Sequence, residues 1–433
     1  MLLVKNGRVI DPSSGVDDYL DILVDEGKIV EVRPEGKGEE KNKVAHVTDA
    51  REKIVVPGLI DMHVHLREPG HEYKETIRTG CQAAASGGFT SIACMPNTNP
   101  VNDNQSVTDY ILDRTRREGC VNVFPIGAMT KGLQGESLTE MGELKNAGAV
   151  AVSDDGKSVK NSELMRRGME YARNFNLLVI CHCEDLDLVA GGVMNEGFTS
   201  TRLGLKRIPN AAEEVIVARD ILLAELAGCR VHIAHVSTEG SVRIIREAKS
   251  RGIKVTAETA PHYFSLSEEA LESFDTNLKV NPPIRSLKDV VAIKEGLEDG
   301  TLDVIATDHA PHSSLEKDVE FDYASPGIVG LETAFSLAQQ LVKEKVLSLP
   351  EMVSKFTANP AKILGVSKGT LNQGADADIT IMDLSLKKKV DVTQFKSKSR
   401  NSPFHGWELE GEAVCTLVNG EIVKNIKKTV KPS

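Results

Sequence analysis

The residues best placed to do chemistry begin with His63 and His65, which close the apolar run PGLIDMHVH. Asp154 and Asp155 close AVAVSDD, His182 falls in LLVICHCE, His235 in RVHIAHVS and Asp308 in LDVIATDH. Imidazole nitrogen and carboxylate oxygen suit zinc. Donors drawn from distant runs build open catalytic sites, unlike the paired thiolates of structural zinc. Zinc lowers the pKa of a bound water to about 7, and two ions bridged by hydroxide would also polarise a carbonyl. That is chemistry for a poor electrophile such as an amide. The leaving nitrogen then needs a proton, and Asp308, at the end of the last run, is the natural shuttle.

Side chains alternate faces along a strand, so His63 and His65 point the same way and can grip one ion. His232 and His235 are three apart and face opposite sides. The strand-end position favours His235, leaving His232 as a packed or solvated histidine. Cys181 and Cys183 face away from His182 and read as small packing residues.

The elements that must position these groups are strand-length runs beginning at Pro57, Phe89, Val121, Ala149, Leu177, Arg230, Lys254 and Leu302. Helical patterns lie between them at 74–86, 103–118, 162–174, 211–227 and 240–250. Such alternation predicts an α/β fold, a (β/α)8 TIM-type barrel, with chemistry at the carboxyl ends of its strands. An open doubly wound sheet is the alternative, weakened by the lack of a GxGxxG loop. Both ends of the chain read as β-rich, predicting a small β-sandwich domain from 1–54 plus 369–433 around a barrel at 55–368. Asn6-Gly7, Glu26-Gly27 and Asn419-Gly420 are the turn signals there. The basic stretch from Lys387 to Arg400 reads as a solvated loop without a function.

The net charge of −11 gives no electrostatic footprint for nucleic acid. No stretch approaches the roughly 18 apolar residues of a membrane span, and MLLVKNGRVI has no secretory apolar core. Seven scattered cysteines fit a reducing cytoplasm better than a disulfide framework.

The motif DMHVHLREPG at 61–70 resembles the opening motif of dihydroorotases of the class I bacterial type, within the amidohydrolase superfamily. ACMPNTNP, SDDG, CHCED, AHVST, NPPIR, ATDHAPH and GIVGLET follow in the family's order, and FTANPAKILG leads into an amidohydrolase-style tail, GADADITIMD. The resemblance spans nearly the full length. It implies that His63 and His65 bind one zinc, that Asp155 bridges, and that His182 and His235 bind a second. Asp308 would be both ligand and general acid/base. One or two zinc ions are implied, two being favoured. Arg67, Asn97 and His312, with His65 nearby, would hold the substrate carboxylate and ring. Asn281, Pro326 and Gly327 would line the other side. Arg67 lies two residues beyond His65 and offers a planar fork matched to a carboxylate.

Two details stand apart. Asp154-Asp155-Gly156 resembles the dihydroorotases with a bridging aspartate, so Lys157 is not expected to be a carboxylated bridge. The family more often has a Phe before Gly327, where this chain has Pro326. The implied activity is reversible closure of N-carbamoyl-L-aspartate to dihydroorotate in pyrimidine synthesis. A hydantoinase or allantoinase is a second reading, disfavoured by Arg67 and Asp155. A non-catalytic scaffold for aspartate transcarbamoylase is a third, disfavoured by the filled ligand positions. Homodimerisation, and docking of an active enzyme onto that transcarbamoylase, stay open.

Overall fold

A computed structural model describes residues 1–36 and 46–425. Parts of the terminal β segments expected from the sequence, at 37–45 and 426–433, lie outside the described residues.

Each expected barrel strand forms. Leu59–Val64, Phe89–Cys94, Asn122–Gly127, Ala151–Ser153, Leu178–Cys181, Val231–Ile233, Val255–Thr259 and Val304–Ile305 lie side by side in chain order in one eight-stranded sheet. The pairings are parallel. Its two edges meet through the parallel bridge Val64–His309, where His65 N donates to His309 O at 2.9 Å. Asp61 reinforces this closure by accepting the amides of His63 and Thr307 at 3.1 and 3.2 Å.

The intervening helices follow the apolar periodicity. Ser162–Asn174 starts where the Asn161 side chain caps the amides of Glu163 and Leu164. Ala211–Ala227 packs beside it on the outside, and Glu239–Ser250, capped by Thr238, packs in turn on Ala211–Ala227. Between helix Ile77–Gly87 and the second barrel strand, Gly88 turns the chain at φ +92°. A side chain there would meet Thr380, Met382 and Ala413 of the terminal sheet at 2.9–3.0 Å.

The floor of the barrel is apolar. Helix Ala358–Leu364 covers the amino ends of the strands, and its Ala361, Ile363 and Leu364 pack on Ile60, Leu178 and Val304. Asn359 and Lys355 donate to the carbonyls of Asp303 and Leu302, each at 2.8 Å, which anchors this plug.

Strands from both termini form a second eight-stranded sheet. Ile379–Lys389 joins its halves by pairing antiparallel with Ile54–Pro57. Val4, Ile22, Val55, Ile379 and Leu417 share its core. Glu26-Gly27 and Asn419-Gly420 turn hairpins as expected. Asn6-Gly7 does not. The strand Leu2–Asp11 runs through it, with a bulge between Val4 and Gly7 and Asn6 at φ +63°. Both flanks pair with Val16–Asp25, so the sheet absorbs the local turn signal as a bulge.

The Lys387–Arg400 stretch also departs from the solvated loop expected of it. Lys387–Lys389 are the exposed end of a strand. Beyond them the chain runs along the rim at the carboxyl end of the barrel: Lys396 N and Ser397 N donate to Glu332, while Lys398 N and the Ser397 hydroxyl donate to the fully buried Glu75. The buried Glu75 carboxylate, which needs donors, helps to fix the path of this segment.

Candidate metal and substrate site

Strand ends bring the expected residues to one mouth. His63 Nδ1 pairs with Glu258 at 2.6 Å and His65 Nδ1 with Asn97 Oδ1 at 2.9 Å, so both rings present Nε2 to the centre. His63 Nε2 lies 3.3 Å from Asp155 Oδ1 and 3.5 Å from Asp308 Oδ1. His65 Nε2 lies 3.5 Å from Asp155 Oδ2 and 3.1 Å from Asp308 Oδ1. On the other side, His182 Nδ1 and His235 Nε2 each lie 3.6 Å from Asp155 Oδ1, and 2.8 Å from each other. Asp155 thus belongs to two donor groups, one with His63 and His65, the other with His182 and His235.

The donor set fits a metal on two counts. Ligand bonds of about 2.0–2.1 Å in a tetrahedron put neighbouring donors about 3.3 Å apart, close to most of these distances. Moreover, His63 Nε2, Asp155 Oδ1 and His182 Nε2 are buried without a hydrogen-bond partner. Such groups cost about 1–3 kcal/mol each when left unsatisfied, and a cation would satisfy those that face the centre.

The paired aspartates divide their work. Asp154 turns away and accepts the amides of Met129 and Thr130 at 2.8 and 2.9 Å, which ties the end of its strand to the neighbouring turn after Asn122–Gly127. Burial opposes ionisation of Asp155, but His63, His182 and His235 outweigh it and hold the carboxyl well below its ordinary range. Arg67, His235 and Asp308 have positive φ, +64°, +35° and +46°. Non-glycine residues there carry strain of about 1–3 kcal/mol, a feature concentrated at functional sites.

Above the donors lies a cavity of about 220 Å3. Its walls include His65, Asp155, His182, His235 and Asp308, and also Arg67, Asn97, Asn281, His312, Pro326 and Gly327. Of the residues expected at the site, His63 is the one that lies beneath the cavity, fully buried. Arg67 Nε donates to Pro311 O at 3.1 Å, and its Nη2 lies 3.4 Å from His312 Nε2. Burial and the cations Arg67, Lys74 and Lys317 push the His312 pKa far below that of a free imidazole, so the ring is neutral. Asn281 is held from behind, where Tyr263 donates to Pro282 O at 2.6 Å and the buried Arg285 binds Ser237, Asn195 and Ile208.

Several residues of the site carry no clear sequence signal. Glu258, near the end of its strand, joins His63 to His232, whose Nε2 is 3.2 Å away. His232 is therefore packed, as expected, but within a chain of polar groups ending at Thr256. Both histidines outweigh the effect of burial on Glu258 and draw its pKa down to about 2. Glu184 lies 3.5 Å from His182 Nε2 and accepts from Asn281 at 3.2 Å. Its place two residues after His182, within CHCED, was the available hint. Cys181 and Cys183 are buried off the site, as alternation predicted.

Comparison with known proteins agrees with this geometry. A family model described as dihydro-orotase-like matches residues 52–241, and one described as the amidohydrolase family matches residues 201–424. The dihydroorotase of Geobacter metallireducens is 60% identical over 422 residues, covering 98% of this chain and 99% of that protein. The dihydroorotase of Acetivibrio thermocellus is 57% identical over 423 residues, covering 98% of each. Among solved structures, an L-hydantoinase from Arthrobacter aurescens superposes with a TM-score of 0.87 at 28% identity, covering 98% of this chain and 96% of that one. The fold is thus shared with hydantoinases, while the much higher identity lies with dihydroorotases. With its barrel, its donor set and relatives of this identity along almost its whole length, the chain belongs to the dihydroorotase family of the amidohydrolases.

Proposed function

We infer that the chain is a zinc-dependent dihydroorotase, which interconverts N-carbamoyl-L-aspartate and (S)-dihydroorotate plus water in pyrimidine synthesis. One observation carries the reading: the guanidinium of Arg67 and the donors around Asp155 line the same small cavity. Dihydroorotate sets a carboxylate beside a cyclic amide, so its site needs a carboxylate fork close to the groups that activate the amide. Hydantoin lacks that carboxylate and gives the half-buried Arg67 guanidinium no anion to pair with.

His63, His65, Asp155 and Asp308 would hold one zinc ion, and Asp155, His182 and His235 a second. When bound, zinc supplies Lewis acidity, which makes water more acidic and an amide carbonyl more electrophilic. Arg67, neutral His312 and Asn97 hold the substrate carboxylate, while Asn281 and the Pro326-Gly327 segment confine the ring. Asp308 takes the proton released as water adds to the ring carbonyl and returns it to the departing nitrogen. In the closing direction it takes the proton from the carbamoyl nitrogen. Glu258 and Asn97 keep the rings of His63 and His65 turned to the centre. A cytoplasmic setting is supported by the cysteines, six of which are buried. Among the described residues no helix is long and apolar enough to cross a membrane.

The test is turnover of dihydroorotate by the purified protein, repeated after chelation and after return of zinc. Ring opening should vanish on chelation and come back with zinc. Full activity after chelation would remove the metal from the reading. Opening of hydantoin without opening of dihydroorotate would replace the substrate.

A further inference from the structure

The segment along the barrel rim leads into a residue with an unusual set of bonds. Asn401 is buried. Its Oδ1 accepts the His312 amide at 3.0 Å, and its Nδ2 donates to Ala310 O at 3.0 Å and Gly327 O at 2.9 Å. Its own carbonyl accepts the Val329 amide at 2.9 Å. All three side-chain bonds go to main chain, so the orientation is unique: turning the amide over would set an oxygen against two carbonyls.

What Asn401 holds is the part of the site that faces the substrate carboxylate. Residues 310–312 carry His312 and also Pro311 O, on which Arg67 rests. Gly327 packs against the same turn. A side chain at Gly327 would stand 2.8 Å from Ala310 and 3.0 Å from the His312 ring, and its φ is +148°. Lys317 Nζ braces this strip from the other side, donating to Ser325 O at 2.8 Å and Gly327 O at 3.2 Å. Gly327 N is spent on Lys279 O at 2.8 Å.

We propose that Asn401 is a positioning residue for substrate recognition, fixing the 310–312 turn and Gly327 so that Arg67 and His312 meet the carboxylate together. The inference rests on the reading of Arg67 and His312 given above. It touches none of the proposed metal ligands through its side chain, so it acts on binding and not on the metal.

Asn401→Asp is nearly isosteric, keeps the acceptor and loses both donors, leaving two buried carbonyls facing an anion. Its KM for dihydroorotate should rise about tenfold or more, with kcat within about threefold and zinc content unchanged. Asn401→Ser, which keeps a smaller donor and acceptor, provides a milder version should the aspartate variant fold poorly, and its KM should rise by a lesser factor. In an Arg67→Met background either substitution should add far less than its effect alone, because the two act on the same contact. A soluble, zinc-loaded variant with unchanged KM would overturn the proposal. So would full multiplication of the two effects, or a fall in kcat that tracks lost zinc. Lack of dihydroorotate turnover in the unaltered, zinc-loaded protein would instead overturn the functional reading itself.

Discussion

At the carboxyl end of the barrel the strands finish in His65, Asp155, His182, His235 and Asp308, all buried. At the amino end the same sheet packs Ile60, Leu178 and Val304 under the plug helix Ala358–Leu364. The mouth buries charge, keeps polar atoms without partners and holds Arg67, His235 and Asp308 at positive φ. Each of these features costs stability. The floor buries apolar surface and gains it. The contrast teaches that one sheet separates its two tasks by end: the floor stabilises a mouth that is poised for chemistry and is itself unfavourable without its ligand.

Substitutions at the two ends should therefore have opposite signatures. The largest effect falls on turnover. Asp308→Ala should lower the rate of dihydroorotate opening about 1,000-fold or more, while circular dichroism reports an intact fold. Near-normal turnover would remove Asp308 from the chemistry. Arg67→Met should raise KM about tenfold to a hundredfold, with a smaller change in kcat, because a charge-assisted fork is lost at the binding step. Steady-state kinetics decides this, and an unchanged KM would assign the carboxylate to other groups.

On the floor the signature reverses. Leu364→Ala should cost about 2–5 kcal/mol of stability, as buried leucine truncations do, yet leave kcat/KM nearly unchanged. Denaturant unfolding beside an activity assay reads both, and a large loss of activity in the folded variant would mean that the ends are not independent. The smallest effect concerns pH. His312 is neutral in the free protein because its folded pKa lies well below the unfolded one. An imidazole with a depressed pKa contributes stability above the unfolded pKa and loses it as pH falls. It should thus add no acid limb to kcat/KM above pH of about 5. A titration of the His312 ring near its ordinary pKa, seen by NMR, would contradict this.

Much of this architecture was legible before any coordinates. Apolar runs of strand length, five of them ending in His or Asp, mark the barrel, and helices 162–174 and 211–227 coincide with their expected bounds. The terminal hairpins at Gly27 and Gly420 were also legible, since a two-residue turn is a local property. Asn6-Gly7 was not: it has the same local chemistry, but pairing on both flanks with one strand made it a bulge. Nor did composition distinguish Lys387–Lys389, which are exposed, from Ser397 and Ser399, which are buried. A polar residue in a basic stretch reads as solvated until a buried partner is known.

By itself the sequence determined the order of strands and helices, the end of the barrel that is polar, and the donor types that gather there. Those follow from periodicity and from the alternation of faces along a strand, which are short-range rules. Only the tertiary structure decided that Glu258 turns His63, that Asp154 serves a neighbouring turn while Asp155 is shared, and that Asn401 underlies His312. A buried polar atom must find its partner among groups that packing brings near, and packing joins residues that the chain keeps far apart.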